Sequence, residues 1–310
     1  MKKLIFIFSA FILSVTAFAQ ELYIQTYGNP KNPSLLFLHG GPGASAMDFE
    51  ITAAERIANE GFFVIVYDRR GEGRSIDSMA KFTFAEAYAD ILAIQSKYKI
   101  KKLNLLGYSF GGMLAIQFAN EYPKAVNTII LTGAPISIQK SFQNILNRSK
   151  AIYIDKNDTA GLKQIDEVLK MDKSSIYYSS SCFYMAMQNG FYSCKNPSDS
   201  ATQLLALFQT HELIKKYPFR PNPYATMGYL KNENYTSLEL HEKYKSILSK
   251  RIKVYGMYGM EDGLFVEEDI VKLKSELKNP GDILYVQNAS HGVFIDQQNL
   301  YIHYLKQWLL

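Results

Sequence analysis

The chain has two cysteines, 19 glycines and one tryptophan in 310 residues, and its five histidines are scattered. Two cysteines cannot build a disulfide-rich scaffold or a four-cysteine metal cage. Without a histidine cluster, no metal site is expected, and no motif calls for a cofactor. Charge of one sign is also in short supply. The formal balance is +5, evenly spread, which excludes the basic patch that nucleic-acid binding needs. Long apolar runs are missing as well. The best of them, Leu4 to about Val15, falls short of the ~20 residues of a spanning helix. It follows Lys2-Lys3 and precedes Ala17-Phe18-Ala19, so residues 1–19 read as a secretory signal peptide. The chain is then expected to be exported, periplasmic or secreted, with no stable membrane insertion after cleavage. In such a compartment Cys182 and Cys194 can form a disulfide, worth about 2–3 kcal/mol over a loop of that size.

What is present is a rhythm. Leu35–Leu38, Phe62–Val66, Leu103–Leu106 and Thr128–Leu131 are short apolar runs, and helical patterns lie between them at 46–60, 84–98 and 111–122. Nearly continuous apolar strands separated by helices indicate an α/β fold with a mostly parallel sheet covered on both faces. The rhythm stops near Pro135. It resumes with strands at 252–255 and 282–286, a helix at 267–277 and a last helix at 299–309. The organisation expected is one sheet domain, 20–135 with 249–310, interrupted by a mainly helical cap insertion at 136–248.

Gly107-Tyr108-Ser109-Phe110-Gly111 matches G-x-S-x-G between a strand and a helix, the context that motif requires. There a serine sits on a tight, strained turn with its hydroxyl exposed, and side chains two residues away on either side would collide. A serine hydroxyl needs a base, and the base needs an orienting acid. On this scaffold the chain order is serine, acid, histidine. His291, in Gln287-Asn288-Ala289-Ser290-His291-Gly292, follows the last strand and is the candidate base. Asp262 follows the strand before it, with Glu261 as its neighbour and rival. Acyl transfer builds negative charge on the former carbonyl oxygen, and preorganised amides stabilise that charge. The amide after the serine, Phe110, is one candidate donor. The other comes from His39-Gly40-Gly41-Pro42-Gly43, where bare glycines let backbone approach a substrate; Gly41 is the first choice and Gly40 the next.

These stretches together resemble the α/β-hydrolase superfamily from about Ser34 onward. His39-Gly40-Gly41-Pro42-Gly43 resembles the corresponding motif of the prolyl iminopeptidase family, aminopeptidases that release an N-terminal proline or similar residue. Tyr67 to Ser75 is similar to that family's Asp-x-Arg-Gly-x-Gly-x-Ser segment, which is widespread among α/β-hydrolases and reads as a charged turn bracing the strand ends through Asp68, Arg69 and Arg74. The resemblance implies a serine hydrolase acting on a short peptide or other small molecule. It also implies carboxylates in the cap that bind the substrate amine. The nearest matches are Gln188, where an amide replaces the carboxylate, and Glu233. Phe110 stands where the family usually has tryptophan. A carboxylesterase or lactonase is the alternative, and a non-catalytic binding protein on the same scaffold is the second.

Overall fold

The computed structural model describes residues 21–218 and 220–310, so the expected signal peptide lies outside the described residues. The strands are β1 (Ile24–Tyr27), β2 (Ser34–Leu38), β3 (Phe63–Tyr67), β4 (Leu103–Tyr108), β5 (Val126–Thr132), β6 (Lys253–Gly259) and β7 (Ile283–Val286). They form one sheet in the order β1-β3-β2-β4-β5-β6-β7, parallel throughout except for β1, which runs antiparallel to β3. The middle strands are covered on both faces, and every residue of β3 is buried. That burial is why they are apolar without alternation. The edge strand β1 is not legible in the sequence, because its four residues are half polar and partly exposed.

Successive side chains leave a strand on opposite faces. Leu36 and Leu38 therefore join Phe63, Ile65 and Leu105 in one core, under the helices Phe84–Lys97 and Phe110–Glu121. Leu35 and Phe37 join Val64, Val66 and Leu106 in the other, against the C-terminal helix Gln298–Leu309. Phe37 stacks on Phe49 with ring centroids 3.9 Å apart.

The helix expected at 46–60 is interrupted. Met47–Phe49 and Glu55–Asn59 are α-helical, but Glu50–Ala54 between them is a π-helix. Within this wider turn Glu50 is buried, accepts hydrogen bonds from the hydroxyls of Tyr23 and Tyr27 (both 3.0 Å), and pairs with Arg74 at 2.7 Å. Between β5 and β6 the described residues form helices, with a single isolated bridge, Ser137 to Glu239. The register aligns Leu38 with Gly107 and Tyr108 with Thr132. The loops after β2, β4 and β5 thus emerge side by side at the C-terminal edge of the sheet, where open α/β sheets place their ligand sites.

Candidate active site

Ser109 connects β4 directly to the helix Phe110–Glu121, at φ 52° and ψ −121°. A non-glycine residue held there is strained by ~1–3 kcal/mol and persists only where its surroundings fix it. They do so closely. A Cβ on Gly111 would lie 1.9 Å from the carbonyl oxygen of Leu38, and one on Gly107 would lie 2.5 Å from the Cα of Gly112. The Ser109 amide donates to the Thr132 carbonyl at 2.9 Å, which ties the turn to the end of β5. Phe110 opens the helix, so its amide has no acceptor one turn back.

The loop after β2 is held from behind by buried charge. The Arg69 guanidinium donates to the carbonyls of His39 and Gly40 and forms an ion pair with Glu72 at 2.8 Å. Glu72 in turn accepts the Gly43 amide at 2.6 Å. His39 Nε2 accepts the Arg69 amide at 3.0 Å, which leaves the ring proton on Nδ1, facing the Gly40 carbonyl at 2.9 Å. Burial and the adjacent guanidinium hold His39 well below the ordinary histidine pKa, so it is a neutral structural group. A peptide plane points its carbonyl and the next amide in opposite directions. Because the Gly40 carbonyl is held by Arg69, the Gly41 N–H is turned away from Arg69. Asp68 completes the brace, accepting from the Ala46 amide at 2.8 Å and from Arg74 Nε at 2.7 Å.

Asp262 and His291 come from the loops after β6 and β7. His291 Nδ1 lies 2.7 Å from Asp262 Oδ2, both residues are buried, and Asp262 Oδ1 accepts the Leu264 amide at 3.0 Å. A carboxylate in that position fixes the proton on Nδ1 and leaves the Nε2 lone pair free. The rings of Tyr108 and Tyr192 flank the imidazole, with centroids 5.1 and 5.2 Å away. A Cβ on Gly133 would lie 3.0 Å from His291 Nδ1, so the residue after Thr132 touches the imidazole just as Thr132 holds the Ser109 turn. Glu261, the neighbouring carboxylate, points elsewhere and accepts the Lys195 amide at 2.6 Å.

Gly40, Gly41, Ser109, Phe110 and His291 line one cavity of about 830 Å³. Its far wall comes from the insertion through Phe183, Met187, Tyr192, Leu205, Phe208 and Ile214. Gln188 and Glu233 are not part of it. The Gln188 amide donates to its own helical neighbour, the Tyr184 hydroxyl, at 2.9 Å. Glu233 accepts the Phe84 amide at 2.7 Å and so caps the helix Phe84–Lys97. The expected disulfide is likewise corrected: Cys182 and Cys194 are free thiols. Cys182 is packed inside the core on the helix Ile176–Gln188, whereas Cys194 faces the Asn288 carbonyl at 3.5 Å.

Several supporting residues were not visible in the sequence. Arg148, on the insertion helix Ile138–Asp155, donates to the Asp262 carbonyl at 2.8 Å. Asn144 on the same helix donates to the Leu264 carbonyl at 3.0 Å. Asn222 and Thr226 reach the glycine loop, the Asn222 amide donating to the Gly43 carbonyl at 2.8 Å and the Thr226 hydroxyl to that of Pro42 at 3.1 Å. No local pattern marks such long-range contacts. Asp48 also lines the cavity, and in the sequence it reads as an ordinary acidic residue in the first turn of a helix.

The architecture and the placement of these loops decide the fold. A family model described as the alpha/beta hydrolase fold matches residues 33–174. The chain has the α/β-hydrolase fold. It resembles proline iminopeptidases. One from Lacticaseibacillus rhamnosus is 24% identical over 93% of this chain and 94% of that protein. A relative from Mycoplasma pneumoniae is 27% identical, but the match spans 59% of this chain and 56% of that protein. Among solved structures, a proline iminopeptidase-related protein from Thermus thermophilus matches with a TM-score of 0.63 at 19% identity, over 92% of both chains. An esterase from Exiguobacterium antarcticum matches with a TM-score of 0.60 at 17% identity, over 93% of this chain and 95% of that one.

Proposed function

We propose that this α/β-hydrolase is a serine hydrolase working through an acyl-enzyme. One observation carries the reading: the strained Ser109 turn opens into the same cavity as an imidazole backed by a buried carboxylate. In the proposed reaction Ser109 Oγ attacks the substrate carbonyl carbon and its proton passes to His291 Nε2. The new oxyanion takes hydrogen bonds from the Gly41 and Phe110 amides. His291 then gives the proton to the leaving group as the carbon–heteroatom bond breaks. Water repeats the sequence on the acyl-enzyme, returning the serine and releasing the acid. Asp262 stabilises the imidazolium formed in each half.

Within that class, an aminopeptidase of prolyl iminopeptidase type is the first reading, supported by the glycine-proline loop and by the likeness to proline iminopeptidases. Ester hydrolysis is the second, because the insertion wall facing the cavity is largely apolar and neither Gln188 nor Glu233 faces it. Proline and alanine p-nitroanilides assayed beside short p-nitrophenyl esters separate the two. Arylamide release is the expected result, and ester turnover without it removes the peptidase reading. Residues 1–19 are proposed as an export signal on the strength of Lys2-Lys3, the apolar run that follows and Ala17-Phe18-Ala19. N-terminal sequencing of the protein from its own cells, expected to begin at Gln20, tests that proposal.

A further inference from the structure

We infer that the insertion helix Pro223–Glu233 is a strut that sets the two oxyanion donors relative to each other, with Asn222 and Thr226 as positioning residues. The inference rests on the serine-hydrolase reading above and gives the insertion a part in the reaction as well as in the cavity wall. Asn222 caps this helix, its side-chain oxygen accepting the Tyr224 amide at 2.9 Å. Thr226 and Tyr229 follow at spacings of four and three residues, so all three stand on one side of the helix. That side meets the sheet domain at three points. At the glycine loop, the Thr226 hydroxyl donates to the Pro42 carbonyl at 3.1 Å and the Asn222 backbone amide to the Gly43 carbonyl at 2.8 Å. At the turn after β3, the Asn222 side-chain amide donates to the Gly71 carbonyl at 2.5 Å. At the serine turn, the buried ring of Tyr229 meets the Phe110 ring edge to face, with centroids 5.2 Å apart.

One helix therefore touches both peptide segments proposed to donate to the oxyanion. Glycines rotate freely, so a loop built from them needs contacts on either side of Gly41 to aim its N–H. On the sheet side, Arg69 holds the His39 and Gly40 carbonyls, Glu72 takes the Gly43 amide, and the Arg69 guanidinium lies 5.1 Å from the centroid of the Phe110 ring. On the insertion side, Thr226 and Asn222 take the next two carbonyls that are held, those of Pro42 and Gly43. The contact is close. Gly43 has φ +90°, and a Cβ there would lie 2.6 Å from the Asn222 carbonyl oxygen and 3.1 Å from Thr226 Oγ1. Thr226 also lines the cavity beside Gly40, Gly41 and Pro42, at the seam between the substrate wall and the glycine loop. Oxyanion donors are effective because they are aimed before the charge develops. Loosening this clamp misplaces a donor without removing it, so the loss falls short of the roughly 10²–10³-fold cost of deleting one.

The experiment uses the full protein, p-nitrophenyl acetate and a fluorophosphonate, with rates expressed per folded molecule. Thr226→Val removes the hydroxyl and keeps the shape. It is expected to lower kcat about tenfold while KM stays within about twofold. Labelling of Ser109 by the fluorophosphonate should slow by a similar factor, because the phosphoryl oxygen uses the same two donors. Thr226→Ser returns the hydroxyl and is expected to come within about twofold of the native rates. Asn222→Ser keeps a capping oxygen but loses the bond to Gly71, and should lower kcat at least about threefold. Native rates of turnover and labelling in Thr226→Val, a loss that Thr226→Ser does not recover, or a loss confined to KM overturns the inference. Should Thr226→Val not fold, Asn222→Ser decides the matter, and a native kcat in that variant overturns the inference. A native protein that takes no adduct on Ser109 defeats the serine-hydrolase reading and this inference with it. Native labelling with variants that label equally fast defeats this inference alone.

Discussion

At the rim of the sheet, Arg69 and Glu72 are 1% and 0% exposed and paired with each other. Leu205 and Met187, on the insertion, are 41% and 62% exposed and line the cavity itself with apolar side chains, whereas the Arg69–Glu72 pair stands behind the loop that lines it. On the rim side Arg69, Glu72 and Asp68 each hold particular backbone groups of the glycine loop or its continuation, which fixes the loop geometry. On the insertion side the wall is held by neutral hydrogen bonds, such as that from the Ser290 hydroxyl to the Tyr192 carbonyl. Among the described residues no ion pair as buried as Arg69–Glu72 lies within 136–248. On the proposed reading, reaction geometry falls to the braced region and substrate selection to the less braced one, and alterations to the two should fail in different ways.

The largest effect is expected at the rim. Ser109→Ala should lower kcat by roughly 10⁴-fold or more with little change in fold, and adding His291→Ala should cost little further, because residues acting as a unit are not additive. Steady-state kinetics of the single and double variants check this; a second loss as large as the first would contradict a shared role. Next, Arg69→Met leaves Glu72 buried without its partner and should cost about 3–5 kcal/mol in denaturant unfolding. It also frees the Gly40 carbonyl, so activity per folded molecule should fall as well.

The rim was largely legible in the sequence, and for a physical reason. A strained serine turn and a bare-amide loop each need glycine at fixed offsets, and those glycines sit beside short apolar strands in the linear chain. His291 could be placed by strand order alone and Asp262 only to within one residue, with Glu261 as its rival. The brace was legible only in part: Arg69 was marked by its motif, but Glu72 as its partner and Asn222, Thr226, Arg148 and Asn144 as outer supports depend on contacts across up to about 180 residues. Gln188 and Glu233 were misplaced because helical residues near a motif can face either way. The cysteines were paired on compartment alone, and the helix that buries Cys182 gave no sign of itself in their spacing.

A smaller effect is expected at Asp48, which lines the cavity from the segment after the glycine loop. Its folded pKa of about 6 lies above the ordinary 3.8, so the folded state holds this proton more tightly than the unfolded chain. This contribution to stability is fully present below about pH 4 and is lost as pH rises through 6. Burial lifts it, Asp68 adds to the upward shift, the hydrogen bond from the Phe49 amide opposes it, and burial keeps the Tyr108 hydroxyl protonated. Asp48→Asn should therefore raise Tm more at about pH 8 than at about pH 4. Thermal scans at the two pH values check the sign, and a reversed order would contradict it.

On the insertion wall, Met187→Ala should change stability by no more than about 0.5 kcal/mol while altering the preference for acyl-chain length several-fold. Esters of increasing chain length read that change. Smallest of all is the response to reductant. Both thiols are free, so Tm should not move, and burial pushes Cys182 up to about 12, leaving Cys194 as the thiol that reacts first with iodoacetamide.

The most direct measurement is labelling of the folded native protein with a fluorophosphonate, followed by peptide mapping. If the rim is a preformed acyl-transfer centre, one adduct forms, on Ser109, and His291→Ala suppresses it. No adduct on the folded protein, or one that maps to a different side chain, would contradict the account.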